Sequence, residues 1–73
     1  MAKSTNLDKK RLISEFEMAK SLELSAAELY TKIASDPEIE EQNIKTAFKT
    51  LAQDEQRHAK LVQQIIDLIQ KNL

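Results

Sequence analysis

Glu55-Gln56-Arg57-His58 sets a carboxylate and the only histidine of the chain three positions apart, close to one helical turn of ~3.6 residues. Both interrupt an apolar line that steps alternately by four and three, Ile44, Phe48, Leu51, Glu55, His58, Val62, Ile65, Ile69, the period of a helix face packed on another helix. A second line, Leu12, Phe16, Ala19, Glu23, Ala26, Tyr30, Ile33, keeps the same rhythm and is also broken by one acid. Two carboxylates and an imidazole therefore fall where hydrocarbon is expected. An ionised carboxylate taken out of water without a partner costs several kcal/mol even after relaxation. A divalent cation held by Glu23, Glu55 and His58 would neutralise that charge.

Tyr30 follows Glu23 by seven residues, two turns along the same face, where its hydroxyl is placed to donate to a metal-bound carboxylate. Small residues surround the acids: Ala19, Ala26 and Ala27 near Glu23, Ala52 and Ala59 near Glu55. They leave room for ions, or simply reflect alanine's rank as the best helix former, and both readings stand. Glu15, Glu17, Glu28, Glu40, Glu41 and Asp54 fall off the two lines among lysines and glutamines and read as solvated, with Glu28 the nearest of them to Tyr30.

The elements that must carry these residues are two long helices. The chain has no glycine and a single proline, so Ser35-Asp36-Pro37-Glu38 is the one strong break. The expected parse is a frayed stretch over 1–5, helix one over about 7–35 capped by Thr5 or Asn6, and helix two over about 37–71. Pro37 then sits in the first turn of helix two, with Ser35 or Asp36 as its cap. A short connection between long helices makes them antiparallel neighbours, so residues 1–73 form one helical-hairpin domain.

Seventy-three residues bury a modest fraction of their surface, and the absence of cysteine removes disulfides as a staple, leaving metal or self-association. The net charge of -1 shows no nucleic-acid footprint, and Lys9-Lys10-Arg11 with Lys3 reads as the solvated start of a helix. No apolar run approaches the ~20 residues of a membrane span, and no secretory pattern follows Met1, so a soluble cytoplasmic protein is expected.

A lone hairpin cannot cover apolar faces this wide, since Leu22 and Leu29 flank the first line and Ala52, Ala59 and Ile66 flank the second. The expected closure is an all-α four-helix bundle made by two antiparallel hairpins, a homodimer or a multiple of it. Pairing would gather four glutamates and two histidines, whose four negative charges two divalent ions would balance. An oxygen-rich set with one nitrogen per metal suits iron first and manganese second. The competing reading is a non-enzymatic dimerisation module in which Glu23, Glu55, His58 and Tyr30 form a buried hydrogen-bonded network; a third is metal binding without turnover.

Glu23-x6-Tyr30 and Glu55-x-x-His58-Ala59, with most of the chain in register between them, resemble the ferritin-like di-iron carboxylate proteins, above all rubrerythrins and short encapsulated ferritins. The resemblance implies half of a ferritin-like bundle, each of two chains supplying one helix pair that full-length members carry in tandem. It implies Glu23 as a terminal ligand, Glu55 as a bridge, His58 as the nitrogen ligand and two irons per dimer. It also implies oxidation of ferrous iron by oxygen or peroxide, or reduction of peroxide. Ala26 stands where rubrerythrins typically carry an extra glutamate, and the chain has no cysteines for a rubredoxin-like iron site, so a built-in electron relay is not expected. No shell-targeting tail is recognisable after Asn72-Leu73, and encapsulation is not expected either.

Overall fold

The computed structural model describes residues 6–73; residues 1–5, expected to fray, lie outside it. Two α-helices and no strand occur among the described residues, α1 over Asn6–Ala34 (29 residues) and α2 over Gln42–Asn72 (31 residues). They pack antiparallel into a rod of 57 × 17 × 14 Å, only two helices thick. Neither helix contains glycine or proline, so nothing interrupts the backbone ladder over eight turns or so.

Helix two begins at Gln42 rather than at Pro37. Asp36-Pro37-Glu38-Ile39 instead closes a β-turn, with Ile39 N–H donating to the Asp36 carbonyl at 3.2 Å and Glu38 N–H donating to Asp36 Oδ1 at 2.9 Å. Proline's fixed φ suits the second position of such a turn as well as it suits the first turn of a helix. Glu41 then caps α2 from an extended backbone (φ -71°, ψ 111°), its Oε1 accepting from Asn43 N–H at 3.0 Å. Proline suits both settings, and the hydrogen bond accepted by the Asp36 side chain favours the turn over the expected helix start.

The core is a narrow line of small contacts. Ala27 on α1 and Ala52, Ala59 and Ile66 on α2 are the buried hydrophobic residues. The three on α2 repeat every seven residues, the spacing of a straight seam between two helices. This corrects the expected seam: the residues placed at its flank are the contact line, and Leu51, Ile65 and Ile44 lie one stripe to the side, 42%, 39% and 46% exposed.

The two sides of α2 then differ sharply. Glu55, Val62 and Ile69 follow the contact line by a step of three, Phe48 extends their row one heptad earlier, and Ile44, Leu51, His58 and Ile65 lie next to them. On the other side stand Lys49, Gln56, Gln63, Lys60 and Gln53. The hairpin thus has one open apolar face, with Glu23, Glu55 and His58 near its middle, and one polar reverse face. On the reverse face Lys20 Nζ donates to Gln63 Oε1 at 2.6 Å, tying α1 to α2.

Candidate metal centre

Glu23 from α1 and Glu55 and His58 from α2 meet across the hairpin. Their ligand atoms all lie within 4.8 Å of one another. His58 Nδ1 is 3.5 Å from Glu23 Oε2 and 3.8 Å from Glu55 Oε1. The three-residue step on α2 sets Glu55 and His58 on adjacent turns, and antiparallel packing through Ala27 and Ala52 brings Glu23 to the same level. Small residues on the contact line let the helices approach closely enough for carboxylates of opposite helices to touch.

The side chains on this face are partly exposed, 29% for Glu23, 23% for Glu55 and 49% for His58. Glu23 Oε2 is nevertheless sealed from solvent and has no hydrogen-bond partner. A buried carboxylate oxygen in that state costs the full loss of its hydration, roughly 1–3 kcal/mol or more for a charged group. The acid Glu55 is held above its ordinary value of 4.5, first by its hydrogen bond to Glu23, then by burial and by the negative charge of Glu23; Asp54 adds to the rise and His58 opposes it. Two acids crowded together favour the protonated form of Glu55 relative to an isolated side chain.

These features fit a divalent metal. An orphaned oxygen, a second carboxylate crowded against it and an imidazole nitrogen within reach form a hard donor set without thiolate, suited to iron or manganese.

The raised acid has a consequence for stability. Because the protonated form of Glu55 is favoured in the folded chain, its stabilisation is fully present below the unfolded value near 4.5 and is lost as pH rises through the raised one. Metal affinity runs the other way, since binding requires the carboxylate. Thermal melts of metal-free protein across the carboxylate range should therefore fall with rising pH more steeply than melts of Glu55→Gln. Equal slopes in the two proteins would contradict it.

The remaining expectations resolve unevenly. The Tyr30 ring packs on Phe48, centroids 5.9 Å apart and tilted by 45°, and its hydroxyl makes no hydrogen bond to Glu23 within the hairpin. Glu28 is exposed. Asp54 pairs with Arg57 at 3.0 Å on the surface. Two grooves of the molecule lie on the reverse face, one by Lys45, Lys49 and Gln53, the other by Lys20, Lys60 and Gln63, and neither contains a site acid. The three candidate ligands lie outside both of these grooves, on the open face.

A two-helix scaffold carrying Glu23 on one helix and Glu55-x-x-His58 on the next is consistent with the ferritin-like carboxylate class. A family model described as Rubrerythrin matches residues 16–73, which include both helix cores, the three candidate ligands and Tyr30. The chain belongs to the rubrerythrin family. No curated protein and no solved structure matches it. Among the described residues no helix is long and apolar enough to cross a membrane.

Proposed function

We propose that two hairpins join through their open faces into a four-helix bundle that encloses two iron ions, each chain contributing Glu23, Glu55 and His58. In this reading the protein oxidises ferrous iron or reduces peroxide. The observation that carries the reading is Glu23 Oε2, buried, without a hydrogen bond and central to an apolar face that one hairpin leaves uncovered. A metal-free network would be expected to satisfy that oxygen, and this one does not.

Four carboxylates from two chains match the charge of two divalent ions. Glu23 and Glu55 would hold metal through oxygen, with Glu55 releasing its proton on binding, and neutral His58 would hold it through a ring nitrogen. When bound, iron supplies the redox chemistry with oxygen or peroxide. Covering the open face with a second copy excludes water, which strengthens the attraction between carboxylates and cation. Tyr30 is proposed to donate to a ligated carboxylate once pairing has closed the site. Manganese would fit the same donors.

Aerobic addition of ferrous iron tests the reaction. Oxygen consumption and ferric absorbance above the protein-free rate, both saturating near one iron per chain, are expected. Tight binding with no oxygen or peroxide consumed would refute turnover and leave a metal-binding protein.

A further inference from the structure

The larger groove of the reverse face, about 570 Å³, opens between the end of α1 and the first half of α2. A recess of that size falls within the roughly 300–1,000 Å³ of small-molecule sites. Lys45 and Lys49 line it together with the amides of Gln42, Gln53 and Gln56 and the hydroxyl of Thr46, and no acid lines it. Its walls are rich in hydrogen-bond donors.

Lys45 stands where the seam calls for hydrocarbon. Seven residues before Ala52, it extends the contact line of Ala52, Ala59 and Ile66 by one heptad, and it is half-buried there. Its ammonium nevertheless has no hydrogen bond or ion pair among the described residues, and neither has that of Lys49, whereas Lys20 reaches Glu17 and Gln63. Glu41, one turn before Lys45, turns its Oε1 to Asn43 N–H instead. Like charges four positions apart on a helix repel, so Lys45 and Lys49 weaken α2 unless an anion sits between them. The positive end of the α2 dipole lies beside them, with no acid in its first turn.

We propose that this groove binds a small phosphate-bearing molecule, its anionic head held between the ammoniums of Lys45 and Lys49. A tetrahedral dianion accepts from several directions at once, which suits separate point-charge and amide donors converging on one recess. A bare ion leaves most of the volume unfilled, so the ligand carries an organic part that lies against Ala34, Ala52 and the stem of Gln56. Every lining residue belongs to one hairpin, and the groove faces away from the metal ligands. The site therefore needs neither a second copy nor a metal.

NMR titrations of the isotope-labelled protein with inorganic phosphate and with glycerol 3-phosphate, at fixed ionic strength, test the proposal. Shifts confined to positions 31–35 and 42–56 are expected, with glycerol 3-phosphate binding about threefold or more tighter than the bare ion. Joint Lys45→Gln and Lys49→Gln should weaken both by roughly tenfold or more, and Lys49→Glu, at an exposed position that leaves the seam untouched, should abolish them. Lys60→Gln, in the neighbouring groove, should change neither. Shifts spread over all the lysines, shifts reproduced by chloride at the same ionic strength, or binding unaltered in Lys49→Glu would overturn the site. Equal affinity for the two probes would overturn the organic ligand. Either failure leaves the metal centre standing, because none of these residues is among its ligands.

Discussion

Glu55→Gln should cost more than about 100-fold in iron or manganese affinity, beyond the upper end of what losing a mere outer partner costs, while raising the melting temperature of the metal-free protein at neutral pH. The two effects have one origin. The hydrogen bond and the negative charge of Glu23 favour the protonated form of Glu55, so an uncharged isostere relieves the metal-free hairpin. That isostere offers the cation no charge, and a two-fold assembly would lose both copies at once. His58→Ala should lose metal to a similar degree without the gain in stability, because it removes a nitrogen donor and no carboxylate. Calorimetric titration with ferrous iron under anaerobic conditions, alongside melts of metal-free protein, measures both halves. Retention of metal by either variant would remove that residue from the site, and loss of stability in metal-free Glu55→Gln would favour the hydrogen-bonded network instead.

The second large effect concerns the open face. Leu51→Lys is expected to convert the protein to monomers that keep their helicity and lose their metal. Leu51 is 42% exposed in the single hairpin and stands two turns before His58, off the contact line made by Ala52, Ala59 and Ile66. Substitution there should leave the hairpin intact. Seating an unpaired ammonium in an apolar interface costs roughly 2–5 kcal/mol, which at 1.4 kcal/mol per decade weakens association by about 30- to 3,000-fold. Gln64→Lys, on the polar reverse side, is the control and should change nothing. Sedimentation and circular dichroism at matched concentration separate loss of pairing from loss of folding. A Leu51→Lys protein that stays dimeric and metal-loaded would place the interface elsewhere.

The helices and the pairing of Glu55 with His58 were legible in the sequence for the same reason: both depend on spacing along one helix, and 3.6-residue periodicity reports that spacing directly. Glu55 and His58 had to share a face whatever else happened. Which stripe of α2 meets α1 was a different matter. Apolar residues cover α2 continuously from Ala52, Ala59 and Ile66 through Leu51 and Ile65 to Leu61 and Leu68, and a face serving two neighbours does not say which neighbour takes which stripe.

The connection failed for a local reason. Pro37 fits a turn as well as a helix start, and the decision lay in hydrogen bonds from Asp36 that periodicity does not encode. For Tyr30, spacing fixes the helix face it shares with Glu23 and not the neighbour of its ring. Two turns separate it from Glu23, and on the folded hairpin Phe48 is its ring's neighbour.

Anomalous diffraction at the iron edge, from crystals of iron-loaded protein, tests the shared centre most directly. Two peaks between a pair of chains are predicted, each within bonding distance of Glu23, Glu55 and His58 side chains drawn from both. Iron held by one hairpin alone with its open face in solvent, or paired chains whose acids are satisfied by hydrogen bonds with no peak between them, would contradict the account.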